Sequence, residues 1–363
     1  MKRVPMICAV ALAFALPCSA FGQETSVVLY GRLNLSTDFL SQNIIAGRQH
    51  LYAVSSNSSR FGIRGSESLG SGLSAIFQLE NSLNVDAGSG TLVGRGSWVG
   101  LRSTTLGTIT LGNFELPLDD LSGLFGNLST SYKTGILNTA TLWDNAASDQ
   151  AVQDARFNNG LVQWTDRAKN SVRYDSPTFS GFSTSIQSSA YNESPGAARA
   201  TINGANVMYA GGPVKAGVAY QSNHNLRGPG LKDDAYSGVV QYTFGQFYVA
   251  PVYGRQNYGA TDGRDFRRDF VGLSGQWLAG PHRIHLHVGR AGDLKGPGGR
   301  ADTGATHLLA TYGYALSRRT VLYAGYANLN NDKNANYILP IVKINGVPGA
   351  TESGFSMGMW HNF

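Results

Sequence analysis

The feature that most constrains this chain is a two-residue alternation of apolar and polar side chains. It runs through most of the length and is not accompanied by any long apolar stretch. In the first such segment Leu29, Gly31, Leu33 and Leu35 share one face, and Tyr30, Arg32, Asn34, Ser36 and Asp38 share the other. Phe61 and Ile63 oppose Arg60 and Arg64; Leu73, Ala75, Phe77 and Leu79 oppose Ser74, Gln78 and Glu80. Further on, Val172 and Tyr174 oppose Ser171, Arg173 and Asp175, and Ile284, Leu286 and Val288 oppose Arg283, His285 and His287. The last segment gathers Phe355, Met357, Met359, His361 and Phe363 on one face. Side chains of a strand point alternately to its two faces, so period two predicts strands. Clusters of Gly, Asn, Asp and Pro separate the segments, as turns require.

The N-terminus sets the compartment. Lys2 and Arg3, an apolar run over residues 7–16, and the small residues around Ala20-Phe21-Gly22 form the three parts of a secretory leader. The run is shorter than the ~20 residues of a membrane-spanning helix. Cleavage is expected after Gly22, leaving residues 23–363 as one mature domain, with a cut after Ala20 as the alternative. Pro17 makes Cys18 a poor lipidation site. Both cysteines, Cys8 and Cys18, fall in the leader, so the mature chain holds no disulfide, thiolate metal site or cysteine nucleophile. Without Lys2 and Arg3, 27 of the 29 basic residues remain against 23 acidic ones, a net charge of about +4.

No stretch after residue 22 approaches 18 consecutive apolar residues, so no transmembrane helix is expected. A closed barrel spans a bilayer without one, because every backbone group is paired between strands. The 46 Gly, 17 Tyr and 16 Phe, with only 14% charged residues, fit either such a barrel or a soluble periplasmic all-β protein. The faces separate the two. The polar face carries long charged side chains, and the apolar face reads as ending in aromatics at Phe179, Phe244, Tyr323 and Phe363, a pattern suited to lipid outside and water inside.

Sixteen segments begin near residues 26, 48, 71, 92, 106, 167, 179, 199, 213, 234, 246, 266, 281, 302, 319 and 351. The even number suits a bacterial barrel. Short joins such as Gly211-Gly212-Pro213 and Phe244-Gly245-Gln246 predict periplasmic turns, and the polar stretches 222–234, 256–266 and 329–351 predict external loops. Residues 115 to about 165 contain no clear strand pair. A long connection of this kind is usually functional, and in a wide barrel it can fold inward and narrow the lumen.

Several stretches resemble the general diffusion porins of Gram-negative bacteria, of the beta-proteobacterial type. They are Ser26-Val27-Val28-Leu29-Tyr30-Gly31-Arg32, Ser59-Arg60-Phe61-Gly62-Ile63-Arg64-Gly65, residues 72–80, residues 94–101, residues 170–177 and the ending Met359-Trp360-His361-Asn362-Phe363. Together, in this order, they run the length of the mature chain. The resemblance implies an all-β, 16-stranded transmembrane antiparallel barrel in the cell outer membrane, a homotrimer, and a constriction set by the third external loop. It also implies that Phe363 belongs to the signal read by the barrel-assembly machinery. By motif position Arg32, Arg60, Arg95 and Arg167 match the family's basic wall, and Glu115, Asp119 and Asp120 its acidic loop. The chain departs from the Pro-Glu-Phe-Gly-Gly run of some members and reads Glu115-Leu116-Pro117-Leu118-Asp119-Asp120.

Opposite charges across a narrow, partly desolvated gap create a transverse field that favours polar solutes, and a ring of arginines favours anions. The expected function is therefore passive diffusion of small hydrophilic solutes and ions, with mild anion preference and no enzymatic step, cofactor or metal. The other readings are a substrate-specific outer-membrane channel and, further off, a barrel enzyme or adhesin. Gly354-Phe355-Ser356-Met357-Gly358 matches the nucleophile-elbow pattern, but the alternation runs straight through it where a strand-turn-helix is needed. His285 and His287 share a face without a third ligand placed nearby. Asp233-Asp234 and residues 262–265 read as loop acids without EF-hand spacing. Basic residues are interleaved with acids and form no run, which argues against nucleic-acid binding. The expected partners are outer-membrane lipid and lipopolysaccharide, the assembly machinery, and copies of the chain itself.

Overall fold

The structure, a computed structural model, describes residues 25–44, 47–126, 135–144, 164, 167–191, 199–340 and 346–363. The expected leader and its cleavage site lie outside them. The strands are β1 (Thr25–Ile44), β2 (Gly47–Ser56), β3 (Arg60–Gly70), β4 (Leu73–Asn84), β5 (Ser89–Thr91), β6 (Ser97–Ser103), β7 (Gly107–Glu115), β8 (Arg167–Asp175) and β9 (Phe182–Ala190). They continue as β10 (Thr201–Gly211), β11 (Val214–His224), β12 (Lys232–Phe244), β13 (Phe247–Tyr258), β14 (Phe266–Ala279), β15 (His282–Ala291), β16 (Ala305–Ala315), β17 (Thr320–Asn331) and β18 (Thr351–Asn362). The described residues of the long connection add a 3-10 turn over Asp119–Leu121 and two single helical turns, α1 (Ser122–Phe125) and α2 (Thr141–Asp144).

All the strands form one antiparallel sheet, each beside its sequence neighbours. β2 and β3 flank a break at residues 57–59 and both pair with β1, so they act as one barrel strand. β5 pairs with the end of β4 as a small hairpin between β4 and β6. What remains is a closed barrel of sixteen strands. The seam joins β1 to β18, from Arg32↔Asn362 to Asn43↔Thr351. Beyond it the terminal residue completes the ladder: the Gly31 amide donates to the Phe363 carbonyl at 3.0 Å, and the Phe363 amide donates back to Gly31 at 3.1 Å.

One end of the barrel turns tightly. Phe244↔Phe247 and Ala279↔His282 are joined by two residues, with Gly245 and Gly280 at φ 58° and 56°. Glycine at the first central position supplies the left-handed conformation that matches the twist of two-residue hairpins.

The faces follow parity. Leu29, Val99, Val218, Leu286 and Met357 are all around half exposed, while Asn34, Ser36, Asp38, Gln187, Ser274 and His285 on the opposite parity are buried. An exterior of aliphatic and aromatic side chains suits hydrocarbon, and a polar interior suits water. Tyr323 departs from the sequence reading. It faces inward at 4% exposure, donating to Asn34 Oδ1 at 2.8 Å and accepting from Asn57 Nδ2 at 3.2 Å. Its position in β17 shares parity with the inward Ala327 and Leu329, and Tyr326 takes the lipid side instead. Asp233 and Asp234 are likewise strand residues, at the head of β12, rather than loop acids. Ser356 of the elbow-like pentapeptide sits on the inner face of an uninterrupted β18.

The inner wall carries apolar packing as well as polar groups. Leu118, Leu121, Leu124 and Phe125 of the long connection pack with Ala219, Ala235, Val239 and Ala250, small residues on the inner face of β11–β13. Ile136, Leu137 and Leu142 pack with Leu309, Tyr323 and Ala327, together with Tyr337 and Leu339 from the β17–β18 connection. Glycines make the seats. A Cβ on Gly254 would collide with the Trp143 ring, and one on Gly354 with Ile136.

Leu286, 55% exposed in the middle of β15, gives the test of this orientation. Leu286→Arg should cost about 2–4 kcal/mol near the bilayer midplane. Urea unfolding in phospholipid vesicles reads the loss, and a variant as stable as the parent would mean that this face does not meet lipid.

Candidate functional site

The charged residues of the inner wall are organised by strand register. Arg32 and Arg60 are direct partners across β1 and β3. Arg32 donates through Nε to Asn362 Oδ1 at 2.9 Å, with its guanidinium 4.8 Å from the Trp360 ring. Arg60 and Arg95 converge on Glu80 of β4, at 3.5 Å and 2.6 Å from its carboxylate oxygens. Tyr30 donates to the same carboxylate at 3.0 Å. Glu80 is 8% exposed and is itself locked, its amide bonded to Ser97 Oγ and its carbonyl to the Arg95 amide. Burial, and then the like charges of Arg167 and Arg60, weaken the hold of the Arg95 guanidinium on its proton. It stays charged, as arginine does, but the direction records how closely the cations are crowded.

A second group lies across β7–β10. Arg167 pairs with Glu115, its partner in the β7–β8 ladder. Arg173 donates to Asp175 on its own strand, to the Glu115 carbonyl, and at 2.8 Å to Asp120. Asn206 of β10 donates to Asp120 at 2.7 Å and to the Pro117 carbonyl at 2.9 Å. These bonds hold residues 117–120 against the wall. Burial pushes the Asp120 carboxyl above the usual carboxylate range, against the pull of Arg173 and of the Asn206 amide.

The structure thus brings Arg32 of β1, Arg60 of β3, Arg95 just before β6 and Arg167 of β8 onto one stretch of the wall and sets Asp120 against it. Two of the expected loop acids are placed differently. Glu115 is the last residue of β7 rather than a loop residue, because the ladder with β8 continues through Phe114↔Ala168 to Glu115↔Arg167. Asp119 is 1% exposed and packs within the 3-10 turn, where its carbonyl accepts from Ser122 Oγ at 2.6 Å. Sequence reasoning missed Glu80, Arg173 and Asp175 as members of the site. All three stand on the polar parity of their segments, and that parity is the signal that marks them. No group of three or more His, Cys, Asp or Glu suited to a metal occurs among the described residues.

A closed barrel with a hydrocarbon-compatible exterior, and with opposed charges fixed on its inner wall, is a transmembrane pore. A family model described as Gram-negative porin matches residues 8–334, and the chain belongs to that family. It is similar to outer membrane porin protein 32 of Delftia acidovorans, 28% identical over 372 residues covering 98% of this chain and 99% of that one. An outer membrane porin protein of Bordetella pertussis is 26% identical over 296 residues, covering 73% and 72%. Among solved structures, the anion-selective porin from Comamonas acidovorans superposes with a TM-score of 0.75 at 24% identity, covering 94% of this chain and 100% of that one. The trimer form of OmpT from Vibrio cholerae gives 0.67 at 15% identity, covering 93% and 99%. The protein is an outer-membrane channel for passive diffusion, of a family of channels rather than enzymes.

The Asp120 shift sets a pH dependence. A carboxylate whose pKa is raised takes its proton at a higher pH than an ordinary aspartate, near 3.9. Mild acidification should therefore remove a negative charge from the wall while every arginine keeps its own. Reversal potentials in a KCl gradient should move toward anions as the pH is lowered from neutrality, before the pH at which an ordinary aspartate takes its proton, and Asp120→Asn should show the raised anion preference already at neutral pH. An identical pH profile in the variant would place the titrating group elsewhere.

Proposed function

We propose that the charged wall is the pore constriction and that it makes the channel mildly anion-preferring. Arg32, Arg60, Arg95 and Arg167, joined by Arg173, form its basic side, and Asp120, held on Arg173, is its loop carboxylate. The observation that carries this is the balance along one wall: Arg60, Arg95, Arg167 and Arg173 pair with the four carboxylates Glu80, Glu115, Asp120 and Asp175, and Arg32 adds a fifth guanidinium beside Arg60. Each carboxylate is already engaged by guanidinium groups, so a passing solute meets a surface with net positive charge. The apolar seats of residues 118–125 and 136–142 on the inner face of β11–β17 support a water path running along the arginine-bearing strands. Solutes cross by diffusion, since nothing in such a field binds one tightly. The anion selectivity named for the Comamonas porin agrees with this reading.

The working unit is a homotrimer, exported with residues 1–22 as a cleaved leader and folded by the barrel-assembly machinery, which reads Phe363. The outer face supports the oligomer. Tyr220, Tyr236, Tyr242, Tyr253, Tyr312 and Tyr326 stand exposed on β11–β17, where amphipathic rings suit a lipid interface. The outward positions of β3–β7, by contrast, carry Phe61, Ile63, Leu79, Val99, Leu101 and Leu111, with neither Tyr nor Trp. A side without interfacial aromatics is suited to meeting protein.

A charge about 8 Å from a passing ion is worth about 2 kcal/mol at an effective dielectric constant of about 20, and salt reduces this. Reversing two such charges outweighs a mild preference. Arg60→Glu with Arg95→Glu should invert the sign of the reversal potential in a KCl gradient, with ohmic pores inserting in threes. An unmoved reversal potential would mean that the constriction lies elsewhere. A saturable block of current by one sugar or organic acid would favour a substrate-specific channel.

A further inference from the structure

We infer that Ser58 is a positioning residue of the pore: the one-residue bulge around it reverses which face of its strand meets water, and so turns Arg60 into the lumen. This rests on the reading of Arg60 as part of the constriction. The register shows the extra residue. Between Leu35↔Ser56 and Arg32↔Arg60, β1 contributes Leu33 and Asn34, whereas the facing segment contributes Asn57, Ser58 and Ser59. One strand holds one residue more than its partner over the same span, which is a β-bulge. Ser58 absorbs the surplus at φ 55°, in the left-handed region that side chains seldom adopt.

Parity changes across the bulge. In β1 the even positions Asn34, Ser36 and Asp38 are all buried on the inner face. In β2 Ala53 is buried beside Asp38, while Tyr52 and Val54 are exposed on the lipid side. In β3 the assignment is the other way round. Its even positions Arg60 and Gly62 lie beside Arg32 and Tyr30 inside, and the odd position Ile63 is exposed beside Leu29 outside. The sequence carries the same change of phase, with large apolar side chains at Tyr52 and Val54 and then at Phe61 and Ile63. A strand that kept the phase of β2 would send Phe61 and Ile63 into the lumen and Arg60 and Arg64 into hydrocarbon.

Side chains make good the ladder that the bulge interrupts. The Asn34 amide donates to Ser59 Oγ at 2.9 Å, and the Asn34 carbonyl accepts from the Asn57 amide at 2.7 Å. Toward β4 the Leu83 amide donates to the Ser59 carbonyl at 2.9 Å, and Ser56 Oγ donates to the Leu83 carbonyl at 2.9 Å. The bulge also reaches both sides of the constriction. The Arg60 guanidinium lies 3.5 Å from the Ser58 carbonyl. Asn57 points inward and donates to Ser36 Oγ at 2.8 Å and to the Tyr323 hydroxyl at 3.2 Å. Gly135 of the long connection rests on its amide group, where a Cβ would collide with Asn57 Oδ1. One surplus residue thus aims a wall arginine and seats the far arm of the loop that faces it.

The test uses the whole folded protein in phospholipid vesicles. With residues 1–22 removed the chain has no cysteine, so a nitroxide label can be attached at one position at a time. The set is Tyr52→Cys, Val54→Cys, Ser55→Cys, Arg60→Cys, Phe61→Cys and Ile63→Cys. Collision with oxygen, which concentrates in hydrocarbon, and with a water-soluble nickel chelate separates the two faces. Oxygen should dominate at 52, 54, 61 and 63, and the chelate at 55 and 60. Alternation that runs unbroken from 52 to 63 overturns the inference. A suppression experiment reads the consequence for the pore. Arg60→Phe with Phe61→Arg should lower the yield of heat-modifiable barrels and abolish anion preference, because it points the arginine at lipid. Deleting Ser58 from that variant should restore both, since the guanidinium then returns to the lumen. Ser58→Gly should keep the parent's reversal potential, because glycine holds a positive φ without strain. An exchange that conducts as the parent does, or one that the deletion fails to improve, also overturns the inference. If the labels show the change of phase while Arg60→Gln leaves the reversal potential unmoved, the constriction reading of Arg60 fails and the bulge stands.

Discussion

The structure depends on one constraint: inside a bilayer no water is available to bond an unpaired N–H or C=O, so every strand needs two neighbours. The seam between β1 and β18 meets it. Until those strands pair, each would present an open edge to hydrocarbon. The pairing runs twelve register positions from Arg32↔Asn362 to Asn43↔Thr351, and the reciprocal Gly31–Phe363 bonds carry it to the last residue of the chain. Gly31 has a second part in this closure, since a Cβ there would strike the Phe363 ring. Closure also explains the alternation. Once the sheet is a cylinder, each residue faces either lipid or lumen, and a change of parity would move a whole strand's side chains to the wrong solvent.

Within that cylinder the polar side is divided. On β1–β9 the inner wall is charged, and its charges are held by multiple bonds. Glu80 gathers Arg60, Arg95 and Tyr30, and Arg173 gathers Asp120, Asp175 and Ser185. Partly buried guanidinium groups need such partners, because a charge taken from water without one is costly. On β11–β17 small and apolar residues stand among the inward polar groups and accept the leucines and aromatics of the connecting segments. A barrel of sixteen strands is too wide to be filled by wall side chains alone. This second, internal core anchors loop residues, and with them Asp120, at fixed positions against the arginines.

Much of this was legible before the fold was known, and the exceptions share a physical cause. Segments expected near residues 26, 48, 167, 266 and 351 begin at Thr25, Gly47, Arg167, Phe266 and Thr351, because the alternation starts where the barrel wall starts. The one expected near 92 begins at Ser97, since residues 89–91 form their own short pairing with β4. Residue type alone does not place Tyr323: a tyrosine is content in a lipid interface or hydrogen-bonded in a lumen, and only its register with Ala327 and Leu329 decides. Glu115 reads as a loop acid in the sequence because nothing local marks where a ladder ends. The partners inside the connection, such as Asp120 with Asn206, join residues 86 positions apart. They follow no period, and so the sequence carries no trace of them. The crowding of Arg60 and Arg95 on Glu80 lay within reach, since Glu80 stands on the polar face of its own segment.

Arg267 and Arg268 show how far parity alone sets a role. They are adjacent, equally charged and on the same strand. Arg268 points in, is fully buried, and satisfies its guanidinium on the Gly292 and Thr303 carbonyls and the Tyr337 hydroxyl, fastening the β17–β18 connection inside the barrel. Arg267 points out, exposed beside Lys295 at the external rim. The chemistry of the side chain is the same in both places. What differs is which solvent the closed sheet assigns to it, and the same assignment makes Arg60 part of the lumen wall while Ile63, three residues on, faces lipid. Function in this molecule is therefore a property of register first and of residue type second.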